Sequence, residues 1–464
     1  MRGSSSGSSR GSRAIRRRAI RSVRGRRCGC AGAIRAPRRT ADRARRAPRG
    51  RGRPGATRLR GGEPQPPDCR PDSRASDKAM TAPLKSLFLL DPSVTYLNHG
   101  AYGATPRPVF ERHVQWQYEL EREPVDFLSR RFAERMAQAR AILAEYVDTE
   151  RDNLVYVSNG TTGVNIVARS LPLGPGDELL TTDHEHGGIE RLWRFTAQKR
   201  GFEIVRHKVS LPVTTHARFV EDFWRDVTPR TRAILISQLT SPTALVFPVA
   251  AICARARARG ILTIVDGSHV PGQLPLSLRE MDPDFYVGIL HKWVCAPKGS
   301  AFLYARPDVQ PLVEPLVVSW GWEPKNPGPS KFVEYHEWQG SRDISAFLSV
   351  PSAIAFQREH DWDGVRKRCI ALASDAQREV AALTREPLYH PPGAHEWHGQ
   401  MVCAQLPPQT DDIALLARLR NECGIDVSVD RFGGRPRIRV SIQGYNGPDD
   451  VDRLLGSLKQ LLRL

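Results

Sequence analysis

Between residues 154 and 304, short apolar runs alternate with stretches of helical periodicity, and this constrains the fold more than any other feature of the chain. The runs are 154–157, 178–182, 233–236, 261–265, 284–290 and 301–304. Alternation of this kind implies the α/β class: a mostly parallel sheet with helices on both faces. Upstream, Phe132, Met136, Ala139, Leu143 and Val147 recur at helical spacing. Pro124 separates this helix from an earlier one that starts near Thr105 and Pro106, read as a cap followed by proline. The texture changes near Gly340. Long helices at about 344–358 and 361–386 precede a short α+β stretch: 401–405, a helix to Asn421, 425–429, 438–442 and a last helix to Leu462. The expected organisation is a tail (1–79), a large domain (80–345) and a smaller C-terminal α+β domain (346–464), with no internal repeat. The longest apolar run, 244–254, is broken by Pro248, so no membrane span is expected.

The formal charge of +19 is confined to the tail. Residues 1–79 hold 24 of the 69 Lys and Arg and five of the 50 Asp and Glu, which leaves 45 of each sign in residues 80–464. The body is electrically balanced, so nucleic acid is not its expected partner. The tail is rich in Arg, Gly, Ser, Pro and Ala and has no aromatic residue, so it reads as disordered. Three readings compete for it: a presequence, a basic arm that touches nucleic acid or acidic surfaces, or a segment outside the mature protein if translation starts at Met80. The eight cysteines are spread thinly, and only Cys28 and Cys30 lie close together. That is a reduced, cytoplasmic thiol inventory rather than a disulfide framework.

Ligands of open α/β sheets bind beyond the carboxyl ends of the strands. Residues 154–157 lead into Ser158-Asn159-Gly160-Thr161-Thr162-Gly163, a helix start whose N–H groups suit a phosphate, though ordinary capping has the same look. The next run ends in Asp183-His184-Glu185-His186. Residues 233–236 run on to Ser237, Thr240 and Ser241; residues 261–265 end in Asp266-Gly267-Ser268-His269, and 284–290 in His291-Lys292-Trp293. One cofactor accounts for these ends together. A phosphorylated pyridine aldehyde needs a phosphate cradle, a ring-stacking group, a carboxylate for the ring nitrogen, a donor to the phenolic oxygen and a Schiff-base lysine. Thr161 and Thr162, His186, Asp266, Ser241 or His269, and Lys292 can supply them. At an effective dielectric near 20, a carboxylate about 4 Å from the ring nitrogen gains roughly 4 kcal/mol, enough to hold its proton. Burial beside a cationic ring depresses the lysine pKa, as attack requires.

Residues 265–272 with His291-Lys292-Trp293 and Pro297-Lys298-Gly299 resemble the signature of the class-V aminotransferase family of fold-type I pyridoxal-phosphate enzymes. Residues 96–106, 337–343 and 439–446 resemble its isopenicillin N epimerase-like branch, and the likeness covers residues 85–464. The resemblance implies pyridoxal 5'-phosphate on Lys292, Asp266 at the pyridine nitrogen and His186 on the ring. It implies Thr161 and Thr162 at the phosphate, helped by His291, and a homodimer in which Ser341 completes the partner's phosphate site. Arg439 matches the arginine that clamps the substrate carboxylate, a role suited to a guanidinium fork. Asn98, His99 and Tyr102 read either as an entrance loop over the cofactor, with Asn98 and His99 as substrate contacts, or as a Gly-rich turn.

Two departures bear on the reaction. Cysteine desulfurases of the family carry a serine three residues before the lysine, where this chain has Ile289, and a nucleophilic cysteine in the interval that here spans 428–436 and holds none. Chemistry at an amino-acid α-carbon, epimerase-like or aminotransferase-like, is expected first, a C–S lyase second, and a nucleic-acid-associated protein acting through its basic tail remotely. Metal is not expected: His184/His186 and His395/His398 have ligand spacing but no nearby further ligands. Trp320, Trp322, Tyr335, His336 and Trp338 read equally as domain-interface packing or as a substrate-facing wall.

Overall fold

The computed structural model describes residues 84–464, so the readings of residues 1–79 lie outside it. Seven strands form the main sheet: β1 (Leu154–Val157), β2 (Glu178–Thr182), β3 (Glu203–His207), β4 (Thr231–Ser237), β5 (Leu262–Asp266), β6 (Phe285–Ile289) and β7 (Ala301–Ala305). Their order is β1-β7-β6-β5-β4-β2-β3. All neighbours pair in parallel except at β7, which runs antiparallel to both β6 and β1.

Both faces are covered, as side-chain alternation along a strand requires. Leu154 and Tyr156 of β1 belong to one apolar core, while Val155 and Val157 belong to another. Ile234 and Ile236 of β4 face the first core, Ala233 and Leu235 the second. The helices that matter most for the site are α1 (Arg107–Arg122), α2 (Phe132–Tyr146), α3 (Gly160–Ser170), which follows β1, and α4 (Gly187–Arg200), which follows β2.

The C-terminal part begins with Ser345–Leu348, Val350–Glu359 and the long helix Trp362–Thr384. It then builds its own antiparallel sheet from β8 (Met401–Gln405), β9 (Ser428–Phe432) and β10 (Arg435–Ser441), in the order β9-β10-β8.

Three sequence expectations are corrected and one element is added. Strand β3 was not foreseen: it is an edge strand with exposed Glu203 and Arg206 and no continuous apolar run. The expected strand 425–429 is two elements. Ile425–Asp426 pairs in parallel with Thr95–Tyr96, and β9 then turns to pair with β10. The helix expected at 344–358 breaks at Ser349, with Pro351 early in the second piece, where its missing N–H costs nothing. Thr105 does not cap α1; Pro106 holds the cap position, and the Thr105 hydroxyl donates to the Ala296 carbonyl at 3.1 Å.

Candidate active site

The carboxyl ends of β1, β2, β4, β5 and β6 meet at a cavity of about 180 Å³. Its lining includes Tyr102, Asn159, Gly160, Thr161, His186, Ser237, Ser241, Asp266, Ser268, His269, Ile289, His291 and Lys292.

At β1, Asn159 caps α3 by accepting from the Thr162 N–H at 2.9 Å. The Thr162 hydroxyl is engaged by Asn159 and Ser158, at 3.2 and 3.0 Å. Thr161 therefore faces the cavity, whereas Thr162 belongs to the capping network, a correction to the expectation that both threonines line the site. A Cβ on Gly160 would stand 2.9 Å from Ser268 Oγ and 3.1 Å from Ile289, so the backbone meets the cavity there with no room for a side chain.

At β2, His186 does two things at once. Its Nδ1 accepts from the Gly188 N–H at 3.2 Å, capping α4, and its ring lines the cavity. Partial burial lowers its pKa, with Asp266 opposing. Beneath it, Glu185 is buried and accepts from Thr182 Oγ1 at 2.7 Å and Ser237 Oγ at 2.5 Å. Burial, helped by the nearby Asp266 carboxylate, pushes Glu185 up to about 7.

Asp266 is buried at the end of β5, directly beside Ser237 of β4, and accepts from the Ser268 N–H at 2.9 Å. Lys292 Nζ lies 3.2 Å from His269 Nε2. Burial and then the Arg439 charge draw Lys292 down to about 7, against the pull of Asp266. His291 also lines the cavity; it donates from Nδ1 to the Ser300 carbonyl, and burial lowers it to about 4. Arg439 of β10 is buried, and its Nη1 donates to the Ser241 carbonyl and hydroxyl at 2.7 and 2.9 Å. Burial brings it down to about 10.

Asn98 and His99 do not line the cavity, which corrects their reading as substrate contacts. Asn98 donates to Asp426 at 3.1 Å. His99 is fully buried; its Nε2 meets the Lys292 carbonyl and its Nδ1 the Tyr445 hydroxyl, both at 2.9 Å. It fixes the backbone of the lysine rather than touching a substrate. Next to it Gly103, at φ +70°, presses on the His291 carbonyl, where a Cβ would come within 1.9 Å. The entrance residue is instead Tyr102, which is 73% exposed. Ser341 is exposed and outside the lining. The five aromatic residues do not form one wall. Trp338 packs on Phe132 at 4.8 Å, His336 is buried beside Phe332, and Trp320 and Trp322 are exposed.

Sequence reasoning missed Asn159, Glu185, Ser237 and Ser268 as site residues. All four stand at strand ends already singled out, so position was the available signal. Among the described residues no group of three or more His, Cys, Asp or Glu is placed to hold a metal ion, and no helix is long and apolar enough to cross a membrane.

The model of the aminotransferase class-V family matches residues 95–454. The chain belongs to the class-V aminotransferase family. Isopenicillin N epimerases of Amycolatopsis lactamdurans and Streptomyces clavuligerus are 37% and 36% identical to it, over 80% and 81% of this chain and 96% of each relative. A probable chloroplastic L-cysteine desulfhydrase of Arabidopsis thaliana is 25% identical over 80% of this chain and 84% of its own. Among solved structures, a cysteine desulfurase from Escherichia coli superposes with a TM-score of 0.70 at 21% identity, over 82% of this chain and 98% of that one. At that identity the likeness shows the fold, fold-type I. This member of the class-V family is a pyridoxal-phosphate-dependent enzyme that acts at the α-carbon of an amino acid. The residues present fit that group: a helix start with no side chain at Gly160, a buried carboxylate, an imidazole and a lysine of depressed pKa line one cavity.

Proposed function

We propose that the enzyme inverts an amino-acid α-carbon, with Lys292 as the cofactor-bearing residue and the base. The observation that carries this reading is that Lys292, Asp266 and His186 line one cavity at the carboxyl ends of neighbouring parallel strands. Thr161 and the α3 N-terminus would hold the phosphate of pyridoxal 5'-phosphate, Asp266 its ring nitrogen and His186 its ring face. Bound there, the cofactor supplies an electron sink for the α-carbanion.

Lys292, with a pKa near 7, is partly neutral at neutral pH and can both attack and take a proton. Arg439, held through Ser241, offers its remaining guanidinium donors to the substrate α-carboxylate. We also propose a cytoplasmic homodimer in which the exposed Ser341 reaches the partner's phosphate site, and a smaller domain, 346–464, that carries Arg439.

Inversion is favoured over other outcomes by the two epimerases, which match at 36–37% identity. A second reading, β-elimination at a C–S bond, has the desulfhydrase relative behind it. It needs no persulfide cysteine, and the hairpin of β9 and β10 has none.

The test is the absorption spectrum of purified protein and of Lys292→Ala, followed by incubation with a panel of amino acids in deuterated water. A visible band lost in the variant, with α-deuterium in a product of inverted configuration, is the expected result. Sulfide release would favour the lyase, and a keto acid the transaminase. No band after supplying pyridoxal phosphate would sink the reading.

A further inference from the structure

Lys292 Nζ and His269 Nε2 face each other at 3.2 Å. The distance alone leaves the direction of this hydrogen bond open. An ammonium could donate to a bare Nε2, or Nε2–H could donate to a neutral amine. A third residue decides between them. Trp293 is fully buried directly after Lys292, and its indole Nε1 points at His269 Nδ1 at 3.5 Å.

An indole N–H is a donor only. Its opposite number must therefore be an acceptor, which leaves Nδ1 without a proton. The indole ring lies against His99 with centroids 4.9 Å apart, and the Trp293 backbone carbonyl accepts from Gln357 Nε2 at 2.9 Å. The His269 backbone carbonyl likewise accepts from Gln273 Nε2 at 2.6 Å, so the main chain is pinned on both sides of the contact. Leaving a buried donor unpaired costs about 1–3 kcal/mol, which sets the preference for this arrangement. His269 stays neutral because burial, and after it the charges of Lys292, Arg439 and His186, hold its pKa well below the usual imidazole value. A neutral imidazole carries one proton, and with Nδ1 bare that proton is on Nε2.

We propose that Trp293 is a positioning residue whose indole N–H fixes His269 as the Nε2–H tautomer, so that a donor faces Lys292 Nζ and favours the neutral amine. The charged groups around Lys292 act separately: Asp266 from β5 favours the ammonium, while Arg439 from β10 opposes it. Trp293 adds a hydrogen-bond preference that tips the balance toward the neutral form. The tautomer does not depend on the proposed function. Only its consequence does: the same Nε2–H is then the donor available to an acceptor oxygen of the cofactor.

The experiment is nitrogen NMR on the full-length, cofactor-free protein with labelled histidine, the His269 signals being assigned by their loss in His269→Gln. The expected result is a pyridine-type Nδ1 and a pyrrole-type Nε2. In Trp293→Phe, which keeps an aromatic ring but no N–H, the opposite tautomer becomes populated. The apparent pKa of Lys292, followed through the pH dependence of its attachment to pyridoxal phosphate, then rises by roughly one pH unit, the scale of one hydrogen bond to a charged group. An Nδ1–H tautomer in the unaltered protein overturns the proposal, as does a folded Trp293→Phe with both tautomer and lysine pKa unchanged. Should that variant not fold, the tautomer of the unaltered protein decides alone. The expected tautomer in a protein that never takes up pyridoxal phosphate would uphold this inference while removing the proposed function.

Discussion

At the scale of single residues, the site is a set of ionisable groups moved from their ordinary states by burial. Glu185 shows this most clearly, because its folded pKa of about 7 lies above the usual 4.5. The folded state then binds the proton more tightly than the unfolded one. The stability this contributes is fully present below about pH 4.5 and is lost as pH rises through about 7. Glu185→Gln cannot ionise, so its stability relative to the unaltered protein should improve between pH 5 and pH 8, by up to roughly 3 kcal/mol. Urea unfolding of both proteins at the two pH values checks this, and a pH-independent difference would refute it. Arg439→Lys keeps the charge but loses the fork. It should raise KM about 10- to 100-fold with a smaller effect on kcat, as expected for loss of a bidentate carboxylate contact. Steady-state kinetics on whichever amino acid shifts the visible band gives the answer. The placement of Asp266, Lys292 and His186 at one cavity was legible in the sequence, because all three follow apolar runs. The roles of His99 and Thr162 were not, because a side chain next to a glycine or three residues past a cap can point either way.

At the scale of elements, the proposed function gives the N-terminus of α3 the phosphate of the cofactor to hold. Asn159→Ala removes the cap on Thr162 N–H and should cost about 1 kcal/mol of stability, measured by denaturant unfolding. Gly160→Ala should weaken retention of pyridoxal phosphate more strongly than Asn159→Ala does, because the added Cβ meets Ser268 and Ile289 at 2.9 and 3.1 Å. Equilibrium dialysis of the cofactor against both variants separates the two effects; equal losses would contradict the crowding argument. Elements with a continuous apolar run were readable from sequence. The edge strand β3 was not, because its exposure leaves polar residues where a buried strand would have apolar ones. The split of 425–429 was equally hidden, since one extended segment feeds two sheets and local pattern carries no record of a partner.

At the scale of the whole molecule, buried ion pairs tie distant segments together. Arg140 of α2 reaches Glu337 at 2.5 Å and Asp152 at 3.2 Å, and both Arg140 and Glu337 are buried. Arg140→Met strands a buried carboxylate and should destabilise the fold by about 3–5 kcal/mol, seen as a large drop in Tm. A further expectation concerns charge. A chain starting at Met80 has no net charge, so it should keep cofactor binding while losing any salt-dependent retention on DNA shown by the full chain. Persistent DNA retention by the shorter chain would contradict the balanced-body argument. The sequence by itself determined the α/β class, the strand ends that form the site, the lysine, carboxylate and imidazole of that site, and the family. These follow from periodicity and residue type along the chain, which are local properties. Only the tertiary structure decided which neighbours share a hydrogen bond: that Ser241 holds Arg439, that His99 grips the Lys292 backbone and that Trp293 faces His269. Those pairings join residues tens to hundreds of positions apart, or depend on rotamers that packing selects, and no one-dimensional pattern encodes either.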